Sequence, residues 1–161
     1  MKIIGEKING TRKRVAQAIA DRDAAFIQDL ANKQADAGAH WLDVNAGTHP
    51  DREPDDLVWL VETIQTVVET PICLDSASPK ALSAAIKQVN KTPLINSISG
   101  EPHRLEGILP LVAEHRDLAL ELGMADTLIA RLSGIRQVIV RPIGSVRKYV
   151  ELDQDSLLVG R

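Results

Sequence analysis

The chain has 161 residues, a formal net charge of −3 and 2% aromatic residues, enough for one domain with its own core but without the basic face or stacking surface that nucleic-acid and membrane-surface binding need. Cys73 is the only cysteine, which excludes an intrachain disulfide framework and a cysteine metal cluster and suits a reducing cytoplasm. No apolar stretch approaches the roughly 20 residues of a membrane span, and Met1-Lys2-Ile3-Ile4-Gly5 does not read as a signal peptide.

Residues 2–5 read as a short buried strand that Gly5 ends, with a polar loop after it. Asp23 is placed to cap a helix whose apolar positions are Phe26, Ile27, Leu30, Ala31 and Ala35, with Gly38 as its C-terminal cap. Trp41-Leu42-Asp43-Val44 is a second strand, and a turn-rich loop through Gly47, Pro50 and Pro54 follows it. Helical spacing returns over 55–69 until Pro71, and Ile72-Cys73-Leu74 is a third strand. Ser78-Pro79 marks a helix start, a cap followed by proline at the first helical position. Leu94-Ile95 is a fourth strand, and Leu105, Ile108, Leu109 and Val112 mark a fourth helix. Beyond 115, Leu118, Leu122, Ile129 and Leu132 suit a helix and Gln137–Val140 a strand, and Arg147–Arg161 is weakly patterned, a hairpin or a frayed tail.

Alternation of short apolar strands with helices predicts an α/β fold, a parallel sheet covered by helices. Each strand runs into carboxylate or carboxamide residues: Glu6 and Asn9 after the first, Asp43 and Asn45 on the second, Asp75 with Ser76 on the third, Asn96 with Ser97 on the fourth. In a parallel α/β barrel the carboxyl ends of the strands meet on one face, where sites are built. The same residue types also cap helix N-termini, so each has two readings. Asp43 lies within a strand, where a charge must be paired or functional. His40, His49, His103 and His115 have no metal-ligand spacing, and Cys73 reads as core. The basic residues Arg136, Arg141, Arg147 and Lys148 read as a solvated face, with contact to a phosphate or glutamate tail as the alternative.

The stretch Ile3-Ile4-Gly5-Glu6-Lys7-Ile8-Asn9-Gly10 resembles the opening of the methyltetrahydrofolate:corrinoid methyltransferases, of the superfamily that includes dihydropteroate synthase. Leu42-Asp43-Val44-Asn45 with Gly47, Cys73-Leu74-Asp75-Ser76 and Ile95-Asn96-Ser97 resemble that family's next three strands, in order. The resemblance covers residues 1 to about 115 and implies a TIM-type barrel read as incomplete: a pterin-binding half-barrel over 1–115 and a divergent helix-strand tail over 116–161. It implies a cytoplasmic methyltransferase that moves a methyl group from methyltetrahydrofolate to the cobalt of a corrinoid held by a partner protein, with weak turnover expected of a shortened barrel. Asp75 and Asn96 would grip the pterin, with Glu6, Asn9, Asp43, Asn45 and Ser97 lining or supporting the site; no metal ligands are expected. The family's later pterin-binding aspartate and its mobile asparagine have no counterpart here, and no asparagine follows Asn96. Two further readings follow. One is a non-catalytic half-barrel that closes as a homo-oligomer; the other is a dihydropteroate synthase-like enzyme.

Overall fold

The computed structural model describes residues 3–98, 108, 119–122, 137–140 and 151–152. The chain is an α/β protein built from parallel βα units, and it divides into two compact units, Met1–Pro93 and Leu94–Arg161. The expected boundary near 115 and most of the expected fourth helix lie outside the described residues, although Ile108 is helical and buried. Among the described residues no helix is long and apolar enough to cross a membrane.

The first unit holds β1 (Ile4–Asn9), α1 (Lys13–Asp21), α2 (Ala24–Asp36), β2 (Trp41–Asn45), α3 (Glu53–Gln65), β3 (Ile72–Asp75) and α4 (Pro79–Ile86). Strands β1, β2 and β3 form a parallel sheet in that order. Register places Gly5 and Ile8 beside Leu42 and Val44, and these beside Ile72 and Leu74. Partners in register share a face, so these residues make one apolar face. It is the face of α2, because a Cβ on Gly5 would meet the Gln34 side chain of that helix at 2.6 Å. Between sheet and helices lies a core of Ile8, Ile27, Ala31, Leu42, Val44, Leu57, Leu60, Ile64, Leu74 and Leu82, each fully buried. It is aliphatic, as a chain this poor in aromatics requires.

The local signals at two helix starts act as the sequence predicts. The Asp23 carboxylate accepts from the backbone N–H of Phe26 at 3.1 Å, and the Ser78 hydroxyl accepts from that of Ala81 at 3.2 Å. Gly38 ends the α2 turn at φ +84°, a left-handed conformation that favours glycine. Helix α3 departs from its expected span of 55–69: it begins at Glu53 and ends at Gln65, well before Pro71. At that end the Thr66 hydroxyl turns back to donate to the carbonyl of Thr63 at 2.6 Å.

The first strand differs most from expectation. It runs on through Glu6 and Asn9 instead of ending at Gly5, and a helix, α1, occupies what reads as a polar loop. Three steps along β1, from Gly5 to Ile8, match two along β2, from Leu42 to Val44. The extra residue is a β-bulge, which takes a backbone group out of the ladder. Gln34 supplies the missing partner: its Oε1 accepts from the Lys7 N–H at 2.8 Å, while its Nε2 donates to the Leu30 carbonyl at 3.2 Å.

In the second unit, β4 (Leu94–Ile98), β5 (Ala119–Leu122) and β6 (Gln137–Val140) are parallel neighbours, and β7 (Glu151–Leu152) returns antiparallel to β6. Residues 119–122 are therefore strand where helical spacing was expected, since a run this short carries too few positions to separate the two periods.

Candidate functional site

The carboxyl ends of β1, β2 and β3 carry the polar residues singled out by sequence. Asn9 is the register partner of Asn45. Asp75 lies one step beyond the Val44–Leu74 pair, level with Asn45. The three form a row across the sheet, on the face opposite the helices. Adjacent strands lie about 4.8 Å apart, so the row spans roughly 10 Å, the scale of a fused two-ring heterocycle. Asp43 lies on the same face one layer below, level with Cys73. It is 3% exposed, and both Asp43 and Asp75 are engaged by partners.

Asn9 has a defined task within this row. Its Oδ1 accepts from the Thr11 N–H at 2.9 Å and from the Thr11 hydroxyl at 2.7 Å, an arrangement that folds the chain back on itself after the strand. Glu6 stands apart. It lies in the bulge and lines a groove of about 340 Å³ with Lys7, Arg12 and Gln34, a groove whose lining includes neither Asn45 nor Asp75. Asn96 and Ser97 belong to β4, in the second unit.

The loops that rise from the row are held by backbone contact. The Gly10 N–H donates to the Asn45 carbonyl at 2.8 Å. A Cβ on Gly10 would fall 1.8 Å from the Ala46 carbonyl oxygen, and one on Gly47, at φ +59°, 2.7 Å from the Gly10 carbonyl carbon. Only glycine fits at both positions, because each lies against the other's main chain. The glycines of two separate motifs thus meet, fixing the turns after β1 and β2 against each other.

Two arrangements here had no sequence signal. The Ser76 hydroxyl, 3% exposed, donates to Glu53 Oε1 at 2.5 Å and accepts from the Ser78 N–H at 3.0 Å. Asp56, fully buried, receives Arg22 at 2.7 Å and Arg52 at 3.4 Å on the same carboxylate oxygen. Arg52 reaches Asp56 from one helical turn before it, but Ser76 and Glu53 lie 23 residues apart and Arg22 and Asp56 34, and only the packing of α3 brings these two pairs together. Among the described residues no group of three or more His, Cys, Asp and Glu side chains is arranged to hold a metal ion.

Residues 5–126 match the family model described as pterin binding enzyme. The chain belongs to the pterin-binding enzyme family. Within that family it is 47% identical over 111 residues to a methylcorrinoid:tetrahydrofolate methyltransferase of Eubacterium limosum, a match that takes in 69% of this chain and 41% of that protein. It is 27% identical over 168 residues to a methionine synthase of Mycobacterium leprae, covering 98% of this chain and 14% of that one. Among solved structures, a dihydropteroate synthase from Xanthomonas albilineans in complex with 7,8-dihydropteroate superposes with a TM-score of 0.55 at 18% identity, over 91% of this chain and 62% of that one. This likeness shows the fold. The chain thus spans less than half the length of the curated relatives it matches. The resemblance read from the four strand motifs is borne out, and the methyltransferases among these relatives are the branch it pointed to.

Proposed function

We propose that this pterin-binding chain binds a reduced folate and takes part in methyl transfer between that folate and the cobalt of a corrinoid on a partner protein. The observation that supports this most directly is the row Asn9–Asn45–Asp75, three hydrogen-bonding side chains level with one another on neighbouring strand ends, in a chain 47% identical to a named methylcorrinoid:tetrahydrofolate methyltransferase. That relative's name writes the methyl as moving from corrinoid to folate, the reverse of the direction expected from sequence. One in-line displacement run in either direction uses the same residues, by microscopic reversibility.

The proposed roles follow from donor and acceptor inventories. A pterin edge offers adjacent N–H groups, and the Asp75 carboxylate accepts two at once. Asn45, level with it, can both donate and accept, which suits an edge on which the two alternate. Asn96 is assigned to the same ring by its motif, Ile95-Asn96-Ser97. Asp43 supports the row from one layer below, and Asn9 shapes the turn above it. Ser97 and Glu6 are kept as more distant lining groups. The corrinoid supplies a cobalt that accepts or gives up the methyl group. The chain's own share is to position the pterin and exclude water around it. The proposal places this work in a reducing cytoplasm and leaves room for self-association.

Calorimetric titration of the full chain with methyltetrahydrofolate tests the reading. Saturable binding that Asp75→Ala and Asn96→Ala each weaken at least tenfold is expected. A folded wild-type chain showing no saturable heat overturns it.

A further inference from the structure

We propose that Glu53 is a positioning residue for the folate-holding end of β3, acting through Ser76; this rests on the reading of Asp75 given above. Ser76 directly follows Asp75 in the chain. Its hydroxyl is committed on both sides, accepting from the Ser78 N–H at 3.0 Å and donating to Glu53 Oε1 at 2.5 Å. Ser78 in turn caps α4 through the Ala81 N–H at 3.2 Å. One chain of hydrogen bonds therefore runs from the start of α4, through the residue beside Asp75, to the first residue of α3.

The far end is anchored as well. The Glu53 N–H donates to the His49 carbonyl at 2.9 Å, which ties Glu53 to the loop that rises from Asn45. Asn45 and Asp75 stand level on adjacent strands. The loop leaving the first reaches across to hold the turn leaving the second. Without the Glu53 acceptor, the proton of a hydroxyl only 3% exposed loses its partner. Ser76 would then rotate to find another, moving the main chain next to Asp75.

A simpler role must be separated from this one. Glu53, Asp55 and Asp56 all lie in the first turn of α3, where negative charge favours the helix whatever it touches. Glu53→Gln removes the charge and keeps Oε1 as an acceptor, so it distinguishes the two. The experiment measures the dissociation constant for methyltetrahydrofolate by calorimetry, and the thermal midpoint, for wild type, Glu53→Ala, Glu53→Gln, Ser76→Ala and the double alanine variant. Glu53→Ala and Ser76→Ala are expected to weaken binding roughly 5- to 20-fold, with the double variant no weaker than either single one. Glu53→Gln should stay within about twofold of wild type, since its acceptor survives. A lower midpoint with unchanged binding overturns the inference, and so does a glutamine variant as weak as alanine. If Glu53→Ala does not fold, Glu53→Gln and Ser76→Ala decide it alone: unchanged binding in Ser76→Ala sinks the proposal. Absence of binding by the wild type is a separate outcome that removes the folate reading and this inference with it.

Discussion

Arg22 and Asp56 meet at 2.7 Å across 34 residues of sequence, with the carboxylate fully buried and the guanidinium 41% exposed. Arg22 ends α1 in a left-handed conformation, φ 55°, which is uncommon for a residue with a side chain. Its guanidinium also lies 4.9 Å from the centre of the Trp59 ring. One side chain thus pins the α1–α2 turn to α3 by charge and by ring contact. Losing Arg22 leaves the buried Asp56 carboxylate with the longer Arg52 contact at 3.4 Å as its remaining ion pair among the described residues. Arg22→Ala should therefore destabilise by about 1–3 kcal/mol, less than for a fully buried pair because Arg22 is partly solvated. Urea denaturation of Arg22→Ala, Asp56→Ala and the double variant measures the coupling; additive losses would show that the pair contributes nothing.

The contact between Gly10 and Gly47 makes a second prediction. With Ala46 carbonyl oxygen 1.8 Å from where a Cβ would stand, Gly10→Ala has no room unless the two turns separate. The cost should reach the upper end of overpacking, about 3 kcal/mol or more. By contrast, at Gly5 the nearest atom is the end of the Gln34 side chain, at 2.6 Å, which can rotate, while its Cβ at 3.1 Å has to give by only a few tenths of an ångström. Gly5→Ala should therefore cost less and act through the Lys7 hydrogen bond. Thermal melts of the two variants should rank in that order.

Asp75 permits a test of chemistry against shape. If it accepts two N–H groups from the pterin, Asp75→Asn turns one acceptor into a donor and sets two donors against each other. The asparagine variant should then bind methyltetrahydrofolate no better than Asp75→Ala, both weaker by roughly 5- to 150-fold, the equivalent of about 1–3 kcal/mol. Near-normal binding by Asp75→Asn would remove the two-acceptor role.

The two caps give a calibration. Asp23→Ala and Ser78→Ala each remove one acceptor from a helix start and should cost about 1 kcal/mol, or roughly 2–4 °C in melting midpoint. Asp23→Ala should leave folate binding untouched, because its helix start is not joined to β3. Ser78→Ala leaves the N–H that Ser76 accepts from in place, so it reports on the cap alone.

Sequence shows what short-range chemistry decides. The caps at Asp23 and Ser78, the strand segments at 41–44 and 72–74 and the glycine at 38 are each set by a few adjacent residues, and all were legible. Helix α1 was not, although its buried residues Val15, Ala18 and Ile19 are spaced as one face. It is short, and its start at Arg12 has no side-chain cap, so nothing announced it. The polar strand ends were visible as residue types. Their alignment into a row depends on register, which emerges only when strands pair. Glu53 was hidden for the same reason: an acid at a helix start reads as a charge near a dipole until β3 is folded beneath it.

The bulge in β1 governs the phase of everything after it. Without it, the pairing of Gly5 with Leu42 would continue to Lys7 opposite Val44, turning an amine toward the helices and Ile8 toward the polar face. The additional residue restores parity, so Ile8 enters the core and Asn9 arrives level with Asn45. The strand therefore has one position at which its length is negotiable. Deleting Lys7 gives an unbroken ladder with Ile8 and Asn9 in their present places, whereas deleting or inserting a residue between Ile8 and Asn9 shifts the asparagine out of its row.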